Sequence, residues 1–212
     1  ADQGNYGVAG RGKFAVALNG SKVYCLSAET GAVLWSRQCA TVPSAPPEIN
    51  SEDIFVPLFD GRLERFNMAK EGFASVVFVA GGAPTARPSI SRVSTAWGDS
   101  RGRLSIASHV SQRGGISVQL KTDGPILGKP RYKDGIYFVT SQDGYVYAMS
   151  EQEGSLIWEI STGVGISQSP IPLGDHVFVI NDNGELYRFD AKTGKTDAAW
   201  KKRRQGIGQF AG

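Results

Sequence analysis

Two cysteines, two histidines and a few clustered charges are the side chains in this sequence with chemistry to offer. Each can be held against the spacing its chemistry requires. Cys25 and Cys39 are not in a Cys-x-x-Cys pattern and have no histidine near them, so neither a zinc site nor a thioredoxin-like dithiol is supported. His109 and His176 lack an acidic or cysteine neighbour at metal-ligand spacing. Asp182-Asn183-Gly184-Glu185 resembles a calcium loop only in part, because the Asp-x-Asp pattern is incomplete. Lys201-Lys202-Arg203-Arg204 could meet an anionic lipid or an acidic protein. A membrane contact of that kind requires more charges or an anchor outside this chain, and a solvated loop is the plainer reading. Asn19-Gly20-Ser21 matches a glycosylation sequon. No Gly-x-Ser-x-Gly, Walker or dinucleotide fingerprint is present, so the sequence predicts no catalytic constellation and no metal site.

Composition narrows the elements that must carry these residues. The formal charge of +3 comes from 23 basic and 20 acidic residues, which gives no field pointing to nucleic acid. Hydrophobic residues at 41% and aromatics at 10% suffice for a packed core. Glycine is the outlier, with 27 in 212 residues. The longest runs free of Gly and Pro are 11 residues (Ala32 to Val42, Arg103 to Arg113, Lys195 to Gln205), too short for a helical bundle. No stretch approaches the roughly 18 apolar residues of a membrane span. The chain opens at Ala1 without methionine, as a processed or trimmed product would.

The glycines are periodic. Gly20, Gly61, Gly102, Gly144 and Gly184 follow one another at steps of 41, 41, 42 and 40. Asn19, Asp60, Asp143 and Asn183 precede four of them, with Arg101 before the fifth. Asn-Gly and Asp-Gly between apolar runs signal hairpins with type I′ turns, whose two central residues need positive φ. Prolines form a second series, Pro47, Pro88, Pro130 and Pro170, at steps of 41, 42 and 40. Each repeat reads as a first strand carrying the proline, an apolar second strand such as Ile136-Tyr137-Phe138-Val139, and the glycine turn. An alternating third strand such as Val23-Tyr24-Cys25-Leu26 follows, and then a fourth carrying Trp35, Trp158 or Trp200. Four strands in about 40 residues is the size of a propeller blade. Approximate repeats are 1–38, 39–79, 80–120, 121–161 and 162–212, within a single domain. A turn at Glu29-Thr30-Gly31 sets Cys25 opposite position 35 or 36. A disulfide to Cys39 would then need a bent or bulged strand, and two small buried apolar residues are the simpler reading.

Repeats two and three are irregular. Val76 stands where the second would have its indole, Pro57 interrupts the second strand of repeat two, and Gly98 is its equivalent in repeat three. A proline there predicts a bulged or unpaired strand. The segment 206–212 is in register with Gly165-Ile166-Ser167-Gln168-Ser169-Pro170, while repeat one has only Gly4 to Ala9 for a first strand. The expectation is therefore an all-β, five-bladed propeller of four-stranded antiparallel blades, closed by the C-terminal strand. A five-repeat piece of a larger propeller is the alternative, and it would leave sheet edges exposed.

Leu26-Ser27-Ala28-Glu29-Thr30-Gly31-Ala32-Val33-Leu34-Trp35 and Phe189-Asp190-Ala191-Lys192-Thr193-Gly194-Lys195 resemble the PQQ-like (quinoprotein) β-propeller repeat, and Tyr147-Ala148-Met149-Ser150 with Gly154 and Trp158 is a diverged copy. The resemblance spans nearly the whole chain. It implies that Trp35, Trp158 and Trp200 dock between blades as structural residues. One branch of the family comprises quinone-dependent dehydrogenases, which bind PQQ with calcium using a catalytic Asp and often a vicinal disulfide. No acidic residue here can be matched to that Asp, and no cysteines are adjacent. The other branch is non-catalytic, with cell-envelope scaffolds such as the outer-membrane assembly lipoprotein BamB and sensor domains, and the sequence looks more like these.

Inner strands line a propeller's channel, so the charges beside the proline series, Glu48, Arg87, Lys129 and Arg131, are the candidate binding residues. Together they could hold an anion, a carboxylate terminus or an acidic loop. Solvated side chains, with Glu48 paired to one of the cations, are the plainer alternative. The function expected is a non-catalytic, protein-binding scaffold in the periplasm or outside the cell, needing no cofactor. A PQQ-dependent dehydrogenase or a ligand sensor is the alternative.

Overall fold

Short apolar runs punctuated by glycine turns produce strands and no helix among the residues that the computed structural model describes, which are 7–69, 74–79, 81–108 and 116–196. The first sheet is β1 (Gly7–Arg11), β2 (Phe14–Asn19), β3 (Lys22–Ser27) and β4 (Val33–Gln38). The second is β5 (Glu48–Ile49), β6 (Asp53–Pro57), β7 (Arg62–Asn67) and β8 (Ala74–Val79). The third is β9 (Ser89–Ile90), β10 (Ser94–Gly98), β11 (Arg103–Ser108) and β12 (Ile116–Lys121). The fourth is β13 (Arg131–Lys133), β14 (Ile136–Thr140), β15 (Tyr145–Ser150) and β16 (Leu156–Ser161). The fifth has β17 (Ile171–Leu173), β18 (His176–Ile180) and β19 (Leu186–Asp190). Every sheet is an antiparallel meander in chain order.

Each proline of the series stands directly before an inner strand rather than inside it. Lacking an N–H, it suits the end of the connecting segment better than a place in the ladder. All five series glycines have positive φ, from 58° at Gly20 to 86° at Gly61 and Gly144. The type I′ expectation is corrected, however. In repeats two to five the loop holds three residues: the Leu58 N–H donates to the Arg62 carbonyl at 2.8 Å and that of Gly61 to Leu58 at 3.1 Å, a pattern repeated at Asp99, Ser141 and Asn181. Such a loop puts its left-handed step on the glycine alone. The type I′ signature falls instead at Asp134-Gly135, with φ of 47° and 83°, joining β13 to β14.

One irregularity recurs in every four-stranded sheet whose third and fourth strands pair. Cys25 faces Trp35 but Leu26 faces Val33, so the outer strand holds one extra residue. The same bulge falls between Arg65 and Phe66, Ile106 and Ala107, and Ala148 and Met149. The bulge expected at Pro57 is absent: Pro57 pairs in register with Leu63 as the last residue of β6, and its carbonyl accepts from the Ser44 N–H at 2.9 Å. At the equivalent Gly98, a Cβ would overlap Ile126 Cγ2, so the glycine is there to admit that side chain.

Because most sheets are covered on both faces, alternate residues of one strand serve two different cores. Val16, Leu18, Val23 and Cys25 meet Ile54, Val56 and Phe66 between sheets one and two. Phe55, Leu63 and Phe78 meet Trp97 and Ala107 between two and three. Ala96, Leu104 and Ile106 meet Tyr137, Val139 and Met149 between three and four. Phe138, Val146 and Trp158 meet Val177, Val179 and Phe189 between four and five. Trp35 and Trp158 key two of these layers. Their indole N–H groups donate to the Met68 carbonyl at 2.9 Å and the Ala191 carbonyl at 3.0 Å of the following sheet. A Cβ on Gly194 would lie 2.8 Å from Trp158 Cδ2, so the indole seats directly on that glycine. Trp200 lies outside the described residues.

The inner place of sheet one is held by β1, which extends beyond the short segment expected there. The proposed closing strand, 206–212, lies outside the described residues. Val8 on the far face of sheet one is 68% exposed, and Ile171 and Leu173 on the far face of sheet five are 56% and 66% exposed. Both cysteines are free and buried. Burial pushes the Cys39 thiol up to about 12, with the Glu64 carboxylate adding to the shift.

Candidate functional site

The inner strands contact one another in sequence, β1 with β5, β5 with β9, β9 with β13 and β13 with β17, and so curve about a common axis. Their flanking charges cross it. Glu48 opens β5, and Lys129 lies two residues before β13, with its backbone N–H donating to Ser169 Oγ of the next repeat at 2.8 Å. Gly128 permits that approach, since a Cβ there would be 2.8 Å from the Gln168 carbonyl oxygen. From this anchored position the Lys129 ammonium forms an ion pair with the Glu48 carboxylate of sheet two, both side chains being largely buried.

Arg131, the first residue of β13, is exposed and lies beside that pair. Glu48, Lys129 and Arg131 share a cavity of about 210 Å³ with Arg11, Ile49, Ser89, Ile90 and Tyr132. Arg87 stands apart: its Nη2 donates to the Val8 carbonyl of β1 at 2.9 Å. Three of the four candidates thus converge. Arg11 is the residue that sequence reasoning missed. The proline series has no member in repeat one, where Tyr6 stands one period before Pro47, so that inner strand carries no marker.

The cavity holds three cations, Arg11, Lys129 and Arg131, against one carboxylate, Glu48. Lys129 is engaged by Glu48. Among the described residues Arg11 and Arg131 have no ion pair. Two guanidinium groups at one mouth favour planar oxyanions, which accept two parallel N–H bonds from each fork. Tyr132 adds a hydroxyl that donates to Glu151 at 2.8 Å, and burial raises its pKa. The lining therefore supports recognition of a carboxylate by charge. It does not fit PQQ with calcium: a calcium ion takes six to eight oxygen ligands, and the single carboxylate here is already paired with Lys129.

The other charged motifs lie elsewhere. Asp182 accepts from the Ser167 N–H at 2.9 Å, from Ser167 Oγ at 3.1 Å and from Gln142 Nε2 at 2.8 Å, which makes it a bridge between adjacent turns. Burial raises its pKa, but these donors outweigh it and the net shift is downward. His176 packs its ring near Phe178, with centroids 6.5 Å apart. His109 and 201–204 lie outside the described residues.

Antiparallel sheets set side by side about an axis, two of their interfaces keyed by indoles, define a propeller of the PQQ-like repeat. The family described as "Outer membrane protein assembly factor BamB" matches residues 2–124 and again 86–210, and the chain belongs to it. No curated protein matches the sequence. BamB from Moraxella catarrhalis superposes with a TM-score of 0.76 at 18% identity, over 91% of this chain and 62% of that one. The computationally designed Ika8 protein gives 0.79 at 14% identity, over 89% and 59%. These identities speak for the fold alone, and the chain spans about three fifths of the length of either structure.

Proposed function

We propose that this chain is a non-catalytic scaffold of the cell envelope, periplasmic or extracellular, that holds a protein partner by an acidic or carboxylate-bearing segment at the mouth of its axis. The observation that carries the reading is the meeting of Arg11, Arg131 and the Glu48–Lys129 pair in one cavity. Membership of a family described by outer-membrane protein assembly supports the location and the protein nature of the partner. The reading requires no cofactor. Membrane contact would need an anchor outside this chain.

Closure into a ring of five by 206–212 is supported by the register of that segment with 165–170. The exposed far faces at Val8, Ile171 and Leu173 weigh against it and support an array met by further blades.

The test is fluorescence anisotropy with a labelled hexaglutamate peptide. Saturable binding that weakens with salt is expected, together with a loss of about tenfold or more in the exposed double variant Arg11→Glu, Arg131→Glu. Absence of saturable binding, or a folded double variant that binds equally well, overturns the reading.

A further inference from the structure

The interface between sheets three and four has valine at the position of the indole key, and among the described residues a cavity lies beside that position. Val118 pairs with Ile106 at the register where Trp35 pairs with Cys25 and Trp158 with Ala148. Beside this register lies a cavity of about 560 Å³, within the usual range of ligand sites. Its walls are Val93, Ser94, Ile106 and Ser108 of sheet three and the turn from Glu151 to Gly154 of sheet four.

That turn has the form of the one on which Trp158 seats. The Gly154 N–H donates to Ser150 at 3.0 Å and the Ser150 N–H to Ser155 at 2.9 Å; the Gly194 N–H donates to Asp190 at 2.8 Å and the Asp190 N–H to Lys195 at 2.9 Å. The two glycines have φ of 67° and 71°. The Glu151 carbonyl is the counterpart of the Met68 and Ala191 carbonyls that accept the indole N–H elsewhere, and a carbonyl oxygen has two lone pairs.

We propose that this cavity is a socket for a tryptophan side chain of a protein partner, presented on a basic extended segment. The site is separate from the axial cavity. An indole suits it because an indole is what the two equivalent interfaces hold there. A basic flank suits it because the exposed Glu153 is among the lining residues, which include no lysine or arginine. The wall is braced in advance. The Glu151 carboxylate accepts from Ser91 Oγ, from Ser94 Oγ at 2.6 Å and from the Tyr132 hydroxyl at 2.8 Å, and the Tyr137 hydroxyl lies 2.8 Å from Ser94 Oγ. A braced site loses less freedom when it is filled.

The probe is the peptide acetyl-Lys-(5-fluorotryptophan)-Lys-amide, followed by fluorine NMR so that only the ligand is seen. A saturable shift is expected with the wild-type chain. Val118→Trp supplies the missing indole from within, so it should weaken the peptide by about tenfold or more and raise the melting temperature. If that variant fails to fold by circular dichroism, Ser108→Phe narrows the same cavity from the neighbouring strand of sheet three and makes the same test. No saturable shift at millimolar peptide, or a folded variant of either kind that binds as tightly as wild type, overturns the proposal.

Discussion

The interfaces on either side of sheet four are built on the same backbone and closed by different chemistry. Toward sheet five, Trp158 buries its ring 5.9 Å from Phe138 and 6.2 Å from Phe189, and its one polar atom is satisfied by Ala191. Toward sheet three, a hydroxyl and carboxylate network of Ser94, Tyr132, Tyr137 and Glu151 takes over, and a cavity remains. Burial there pushes the Tyr137 phenol up to about 12. The interface between sheets two and three shows a third solution. Trp97 comes from the second strand of its sheet, lies fully buried with its centroid 6.1 Å from Phe78, and has no acceptor for its indole N–H among the described residues. The repeat thus conserves strands, turns and the outer-strand bulge, while the key between blades is replaceable. Where the key is missing, the surface gains a place for something else.

That contrast is broken or sharpened most strongly by truncating the keys. Trp158→Ala and Trp35→Ala should each cost about 3–5 kcal/mol in urea unfolding. Trp97→Phe removes an unsatisfied donor along with some volume and should cost clearly less. Equal losses at all three positions would deny that the hydrogen-bonded indoles are special. Gly98→Ala comes next, at about 1–3 kcal/mol, because the new methyl must displace Ile126. A neutral result in the same unfolding experiment would show that Ile126 has room to move.

The smallest effect concerns Glu64, a buried carboxylate between sheets one and two that accepts from the Ala40 N–H at 3.2 Å. Burial raises its pKa, partly offset by the Ala40 bond and the Arg62 charge. A raised folded-state pKa means that its contribution is fully present below the unfolded value and is lost as pH rises through the folded one. Glu64→Gln should therefore gain on the wild type in melting temperature between pH 4 and pH 7. A gap between the two that stays constant with pH would contradict this sign.

Much of the arrangement could be read from residue spacing. The glycine series marks residues that do adopt positive φ, and the proline series marks the starts of inner strands, because both depend on local backbone chemistry. Glu48, Lys129 and Arg131 flank that series in the sequence and line one cavity in the structure. What escaped depended on tertiary context. Arg11 had no neighbouring proline to flag it. The bulge residues Leu34 and Ile157 are as apolar as ordinary strand residues, so the skipped pairing leaves no trace in composition. Asp-Gly is compatible with either a two-residue or a three-residue loop, and pairing across the hairpin decides between them. Trp97 lies outside the repeat's tryptophan position, and its burial follows from the neighbouring sheet.

The central claim, that an indole on one sheet's outer strand is bonded to the turn of the next, is tested most directly by hydrogen exchange of the indole protons in protein labelled with ¹⁵N-tryptophan. Trp35 and Trp158 should exchange orders of magnitude more slowly than free indole. Exchange of both at the free rate in the folded protein would contradict the account.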